Sequence, residues 1–260
     1  MNDNSLEIAK YIHIARKHHK EGNIYQANEI YKKLIEKKIY TYDLLLSYGL
    51  FNKDINNLKI AKNLFVLSIR KYPSKINSYI FLAEILRTEN NFSDALKTLH
   101  AAKKIEKSNS EVDYNLAILY KTFKSFREAI ISINAAIKEK PENQIYKILK
   151  ADILIECFQE EKAQELLFNL IFKKDSLLNF QREILISKAF INQKKYTLAE
   201  EILLKQRKLF SKQKILYLNL SDLYFKNKDL EKGILTLKEG IQSFPNFIPL
   251  RFNLAIMYRN

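Results

Sequence analysis

The chain has 260 residues, of which 44 are basic and 29 acidic, so its formal net charge at pH 7 is +15. Its one cysteine, Cys157, excludes an intramolecular disulfide and therefore the small disulfide-bonded secreted class. The four glycines are too scattered for a phosphate-binding loop, and no apolar run reaches the length of a membrane span. The sequence therefore predicts a cytoplasmic protein.

A small residue returns every 34 residues along the chain, and this interval predicts the fold. After five members the series slips by two residues and then resumes, so that its members are Ala27, Ala61, Ala95, Ala129, Ala163, Ala199 and Gly233. Return at this interval is typical of stacked helical hairpins. A small side chain is needed where two helices cross closely, so we predict that these seven residues are the repeat-packing positions.

Three further series keep the same register and define the two helices of each hairpin. A second small residue precedes each member by twelve positions, at Ala15, Gly49, Ala83, Ala117, Ala151, Ser187 and Ser221. A bulky apolar residue follows each member by four positions, as Tyr31 and Phe65 do, and this spacing places both on one helix face. Prolines at 73, 141 and 245 are expected to end second helices.

These marks predict one elongated domain over residues 1–260, with no linker that divides it. The predicted repeats lie near 8–41, 42–75, 76–109, 110–143, 144–179, 180–213 and 214–247, with an incomplete eighth at 248–260. The two extra residues are expected within 172–180, where an inserted loop costs little. The last helix carries apolar residues such as Phe252 and Ile256 where a terminal cap is usually polar. We therefore expect the sequence to be a fragment that continues in a longer protein.

The motif within each repeat identifies a family resemblance. The fourth repeat contains Leu116-Ala117-Ile118-Leu119-Tyr120, then Phe126-Arg127-Glu128-Ala129, Ile133, Ala136 and Pro141, and the first repeat supplies a turn glycine, Gly22. This resembles the tetratricopeptide repeat family, although the tryptophan near the start of that motif is missing. The resemblance implies an all-α, right-handed superhelical solenoid of about seven hairpins plus an incomplete eighth, with the first helix of each hairpin on the concave side.

Asparagine recurs at the sixth place of three first helices, as Asn115, Asn219 and Asn253. This is similar to the asparagine ladder in the repeat arm of O-linked N-acetylglucosamine transferases, and it implies that the side-chain amides bind the backbone of an extended peptide. An amide suits that role because it offers both a donor and an acceptor. The ladder is interrupted at the other repeats, so that only Asn219 and Asn253 stand in consecutive hairpins.

The ninth places of the first helices predict a groove of mixed character. Acidic residues occur there at Glu84, Asp152 and Asp222, basic residues at Arg16 and Lys188, and apolar residues elsewhere. Such a wall suits a peptide with both apolar and charged side chains. Together with the three asparagines, the four residues Glu84, Asp152, Lys188 and Asp222 form the predicted peptide-binding groove.

No arrangement of residues predicts catalysis, a cofactor or a metal site. Three of the four histidines fall in the first helix, but none of these stands three or four residues from another, as a metal-binding helix face requires. The chain is therefore predicted not to be an enzyme. The excess of lysine is interpreted as a solvated outer wall or a codon bias, and neither nucleic acid nor a small molecule is the expected partner.

The favoured hypothesis is a scaffold that holds a partner protein or peptide segment in its concave groove. One alternative is the substrate-recruiting arm of a multidomain glycosyltransferase or sulfotransferase whose catalytic domain lies outside this chain. Another is an RNA-binding helical repeat, although the apolar fifth places of the first helices, such as Ile148 and Leu218, oppose it.

Overall fold

The computed structural model describes residues 3–259, and side chains from Ser5 onward. Throughout that range the regular secondary structure is α-helical, as predicted. The helices are α1 (Asp3–Lys20), α2 (Ile24–Glu36), α3 (Tyr42–Asp54), α4 (Leu58–Lys71), α5 (Asn77–Thr88), α6 (Phe92–Ile105), α7 (Ser110–Thr122), α8 (Phe126–Glu139), α9 (Gln144–Glu156), α10 (Glu160–Phe168), α11 (Leu177–Asn192), α12 (Tyr196–Leu209), α13 (Lys214–Lys226), α14 (Leu230–Ser243) and α15 (Ile248–Arg259).

The helices form two compact units, one up to Ser125 and one from Phe126 onward. Within each unit consecutive helices pack as hairpins, for example α3 on α4 and α13 on α14. The odd-numbered helices, which we call first helices, also pack on one another. In the N-terminal unit α1, α3, α5 and α7 follow in series, and in the C-terminal unit α9, α11, α13 and α15 do so. The all-α class predicted from the sequence is confirmed.

The small residues of the 34-residue series lie in the core. All six alanines of that series are fully buried. A Cβ added to Gly233 would lie 2.7 Å from Met257 Sδ, and one added to Gly49 would overlap the Phe65 ring. Both distances are much shorter than a van der Waals contact. The packing of neighbouring helices therefore leaves no room for a larger side chain at either glycine.

A left-handed residue marks the turn within each hairpin and follows the same register. Positive φ angles occur at Gly22, Asn56, Asn90, Lys124, Phe158, Lys194 and Lys228. At each turn the following residue donates its N–H to a carbonyl five residues back, as Asn57 N does to Asn52 O at 2.7 Å. This is the Schellman arrangement that commonly ends a helix, usually with glycine at the left-handed position. The turn geometry therefore recurs although six of its seven left-handed residues are not glycine.

The two-residue slip falls where α10 ends early. This helix has 9 residues, whereas the other second helices have 13 or 14, and α11 begins at Leu177 rather than near residue 180. The intervening link of residues 169–176 is held by side chains of α11. Arg182 Nη1 donates to Leu170 O at 2.6 Å, and Asn179 Nδ2 donates to Lys174 O at 2.9 Å. The extra length is thus taken up in an ordered link between two hairpins.

Candidate functional site

Neighbouring first helices are separated by a cleft whose lining is set by the repeat. We compare two clefts at the same places, which are the eighth, ninth and twelfth of one predicted repeat and the sixth, ninth and tenth of the next. Between α3 and α5 these places hold Gly49, Leu50, Lys53, Phe81, Glu84 and Ile85. The α13/α15 cleft is lined by Ser221, Asp222, Phe225, Asn253, Ile256 and Met257.

Charged pairs and an aromatic ring connect neighbouring first helices in the N-terminal unit. In the α3/α5 cleft the Lys53 ammonium pairs with Glu84 and lies 5.1 Å from the centroid of the Phe81 ring. Between α1 and α3, Arg16 Nε donates to Ser47 Oγ at 2.9 Å, and its Nη2 pairs with Asp43. Glu84, which the sequence places in the groove, is therefore already neutralised by a partner on the neighbouring helix.

Lys188 performs the same role between α9 and α11 in the C-terminal unit. Its Nζ lies 2.5 Å from Glu156 Oε1 and 3.7 Å from Asp152 Oδ1. Two of the predicted groove residues, Asp152 and Lys188, are thus partners of each other across neighbouring helices. Compensated charges of this kind give the wall little net electrostatic preference, as the mixed ninth places predict.

The α13/α15 cleft has different residues at the matching places. It contains a cavity of about 190 Å³ whose walls combine Phe225, Ile256 and Met257 with the polar residues Asp222 and Asn253. Where the α3/α5 cleft has the ion pair Lys53–Glu84, this cleft has Phe225 and Ile256. A cavity of about 150 Å³ accepts a benzene molecule, so this one can hold one apolar side chain of a partner.

The three predicted asparagines lie in different environments. The side chain of Asn115 is buried, and its Nδ2 donates to Glu111 O at 2.9 Å, which engages the amide within its own helix. The Nδ2 of Asn219 is buried without a hydrogen-bond partner in the described chain. Asn253 is half-buried on the cavity wall. Of the three, Asn253 is therefore the amide that a partner can reach directly in this conformation.

Asp222 borders the same cavity, and its carboxylate lies 3.1 Å from Lys226 Nζ one helical turn away. The structure thus brings together Asp222 and Asn253, which the sequence predicted, with Phe225 and Met257, which it did not. Comparison of the twelfth places along the chain would have revealed Phe225, because most other repeats have a polar or an aliphatic residue there.

The histidines and the cysteine have structural contacts. His19 Nε2 lies 3.4 Å from Asp54 Oδ2, and His100 Nε2 lies 3.1 Å from Tyr120 Oη. Burial, followed by the nearby Glu156 carboxylate, raises the pKa of the Cys157 thiol, which lowers its thiolate fraction at neutral pH. In residues 3–259, no three or more His, Cys, Asp or Glu side chains are grouped to hold a metal ion. No helix within that range has the length and apolar character needed to span a bilayer.

A family model for the tetratricopeptide repeat matches residues 216–247, which fall within the seventh predicted repeat. A chain in the crystal structure of the APC/C hetero-tetramer Cut9–Hcn1 superposes with a TM-score of 0.73 at 14% identity, over 94% of this chain and 48% of that one. The fold is that of the tetratricopeptide-repeat proteins. This chain spans about half the length of the Cut9–Hcn1 chain, and no curated protein matches it by sequence.

Two bacterial structures of similar size support the same tetratricopeptide-repeat fold. A tetratricopeptide repeat protein from Parabacteroides merdae gives a TM-score of 0.60 at 18% identity, over 84% of this chain and 98% of that one. The pilF protein of Pseudomonas aeruginosa gives 0.59 at 16%, over 82% and 96%. At these identities the likeness concerns the fold alone. The matched model describes a repeat and indicates no catalytic family.

Proposed function

We propose that the chain is a protein-interaction scaffold that binds a partner polypeptide along its first helices. Proteins with tetratricopeptide repeats generally serve as such scaffolds. The observation that carries the proposal is the open α13/α15 cleft, since a cavity of about 190 Å³ with apolar walls and polar edges has the composition of a binding site. A partner would gain affinity by burying an apolar side chain there.

In this cleft the partner would place one apolar side chain between Phe225, Ile256 and Met257. Complete burial of such a side chain contributes about 1.5–3 kcal/mol. The Asn253 amide can accept from one peptide N–H and donate to a carbonyl, and so position the backbone irrespective of its sequence. Asn219, on the neighbouring helix α13, is proposed as the second rung after a rotation of its side chain exposes the Nδ2.

The remaining predicted residues are proposed as secondary contacts. Glu84, Asp152 and Lys188 are already paired across first helices, so a partner that uses them must replace one ionic contact with another. Such exchanges alter specificity more than affinity. Asn115 is proposed to contribute least, because its Nδ2 is engaged by Glu111 O.

The test begins with a random peptide library selected against the whole chain. Peptides that bind should share one apolar residue, which the α13/α15 cleft receives. The double variant Asn219→Ala with Asn253→Ala should then weaken a selected peptide roughly ten-fold, if each lost hydrogen bond contributes about 0.5–1.5 kcal/mol. The matched control is Asn134→Ala, an exposed asparagine on the second helix α8. Full-strength binding by the double variant would refute the role of the two amides.

A further inference from the structure

The links between hairpins in the C-terminal unit share one edge of that unit. Each hairpin leaves and returns at the same side, because its two helices run antiparallel and successive first helices pack alongside one another. The last three of these connections, which follow α10, α12 and α14, therefore lie in a row. We call them the link edge, defined as residues 168–177, 208–214 and 244–251.

Large apolar side chains project into solvent along this edge. Ile171 is 85% exposed and Ile248 is 74% exposed, and three further residues are also exposed, namely Phe168, Leu177 and Leu209. A side chain so exposed touches little protein, so it protrudes instead of lining a recess. Exposure of apolar surface to water is energetically unfavourable. A row of protruding apolar side chains therefore indicates a surface that binds another molecule.

Basic residues surround the protrusions. The link edge contains six basic residues and one acidic residue, Asp175. The basic ones are Lys173, Lys174, Lys208, Lys212, Lys214 and Arg251. Within the described chain none of the six forms a salt bridge, unlike Lys188 or Lys53 in the clefts. Lys214 Nζ lies 4.3 Å from the centroid of the Phe247 ring, and the charge of the other five is available to an anionic surface.

The N-terminal unit provides an internal contrast. Its links also carry lysines, such as Lys37, Lys38 and Lys75, but among their apolar residues Tyr40 and Ile76 are half-buried or buried, and Ile105 is 42% exposed. Positive charge alone is thus common to both units, whereas the larger exposures of Ile171 and Ile248 beside lysines distinguish the link edge. A codon bias that favours lysine does not account for that combination.

We propose that the link edge docks on an anionic lipid membrane. The interface of a bilayer accepts isolated apolar side chains without a matching pocket, and its anionic headgroups attract the surrounding lysines. A nucleic acid would satisfy the lysines but would leave Ile171 and Ile248 in water. This inference is independent of the groove, since none of its residues lines the α13/α15 cleft.

The first experiment measures sedimentation of the whole chain with vesicles at physiological salt. Vesicles of phosphatidylcholine mixed with phosphatidylserine should bind the chain, and vesicles of phosphatidylcholine alone should bind it far less. Each lysine near an anionic surface strengthens binding by about five-fold. Lys173→Glu with Lys174→Glu should therefore weaken binding by roughly 20-fold or more, while Lys37→Glu with Lys38→Glu, in the other unit, should have little effect.

Apolar insertion requires its own test. Ile171→Gln with Ile248→Gln should reduce vesicle binding at least ten-fold. The matched pair Ile131→Gln with Leu235→Gln removes two exposed apolar residues from second helices α8 and α14, and should leave binding unchanged. Circular dichroism of both variants should match that of the unaltered chain, because all four side chains are exposed.

A fluorescent reporter locates the contact directly, since the chain contains no tryptophan. In Ile171→Trp the emission maximum should shift to shorter wavelength when anionic vesicles are added, and in Ile131→Trp it should not. Absence of vesicle binding, or equal shifts at both positions, would overturn the proposal. Binding that depends on the lysines but survives Ile171→Gln with Ile248→Gln would also overturn it, since only electrostatic adsorption would remain. Salt-resistant RNA binding without vesicle binding would indicate a nucleic-acid surface instead.

Discussion

The α3/α5 and α13/α15 clefts occupy the same place in two repeats, yet all six of their matched residues differ. In the first cleft, Lys53 pairs with Glu84, and the Phe81 ring stacks on Phe65, with ring centroids 5.6 Å apart. In the second, the residues at those three places are Phe225, Ile256 and Asn253, and a cavity of about 190 Å³ remains. The same places in two repeats thus hold either a charged pair beside an aromatic ring or the walls of a cavity, and the side chains decide which.

The largest expected effect is a loss of unfolding free energy. Its size in two matched variants tests whether the two clefts differ in packing. Ile85 and Met257 occupy the same place in their repeats, and both are buried. Ile85 lies inside a core cluster that includes Leu99 and Leu119, so Ile85→Ala should cost about 2–5 kcal/mol. Met257→Ala should fall at the low end of that range, because its wall already borders a cavity. Urea unfolding measures both, and a greater loss for Met257→Ala would contradict the comparison.

The packing register of these clefts could be predicted because sequence spacing determines it. A small residue is needed wherever two helices cross, as at Ala129 and Gly233, and the 34-residue interval locates these positions from the sequence alone. The same reasoning did not predict the left-handed turn residues, because Gly22 is the only glycine among the seven of them. Asn56 and Phe158 adopt that conformation too, held by hydrogen bonds to carbonyls of the preceding helix.

The site was predictable only in part, for a related reason. Spacing alone placed Asp222 and Asn253 on the first helices, where they border the cavity. It could not reveal that Asn115 donates to its own helix, because that depends on rotamer and burial. Nor could it predict that α10 ends at Phe168, since neither proline nor glycine marks that end.

The second prediction transplants the closure of one cleft into the other. The triple variant Phe225→Lys, Asn253→Phe and Ile256→Glu copies the residues that fill the α3/α5 cleft. It should weaken a groove-selected peptide by roughly 10- to 100-fold, because it removes the burial of one apolar side chain, about 1.5–3 kcal/mol. Isothermal titration measures the affinity.

The control for that transplant is the unfolding free energy. It should remain close to that of the unaltered chain, because the introduced lysine and glutamate can pair as Lys53 and Glu84 do. Unchanged peptide affinity in a stable triple variant would place the binding site elsewhere in the groove. Loss of stability together with affinity would call for Asn253→Phe alone, which fills the space without introducing charge.

A smaller effect is expected in the core beside the N-terminal clefts. The Tyr31 hydroxyl is fully buried and lacks a hydrogen-bond partner in the described chain. An unsatisfied buried polar group costs about 1–3 kcal/mol, so Tyr31→Phe should stabilise the chain by about 1 kcal/mol. Phe65→Tyr, at the same place in the next repeat, should destabilise it, because Phe65 is equally buried. Thermal unfolding at neutral pH compares the two.

The Tyr31 hydroxyl also predicts a pH dependence. Burial raises its pKa from 10.0 to about 12, while the Arg16 charge lowers the pKa by a smaller amount and the Asp43 carboxylate raises it slightly. The unfolded chain therefore loses this proton first as pH rises. Stability that is fully present below pH 10 should decline between pH 10 and about 12. Tyr31→Phe should lose less stability over that interval than the unaltered chain does, and an identical decline in both would refute the assignment.

The smallest effect separates charge compensation from packing in the α3/α5 cleft. Lys53→Met keeps the apolar stem against Phe81 but removes the ammonium that pairs with Glu84. Because both side chains retain a quarter or more of their exposure, water screens the Glu84 charge that is left, and the loss should stay below about 1 kcal/mol. Lys226→Met, which breaks the pair with Asp222 within one helix, should cost about 0.3–0.5 kcal/mol. A loss at Lys53 well above that range, measured by urea unfolding, would mean that the ion pair stabilises the N-terminal unit. The α13/α15 cleft, which has Phe225 and Ile256 at the matching places, would then lack a contribution that its counterpart has.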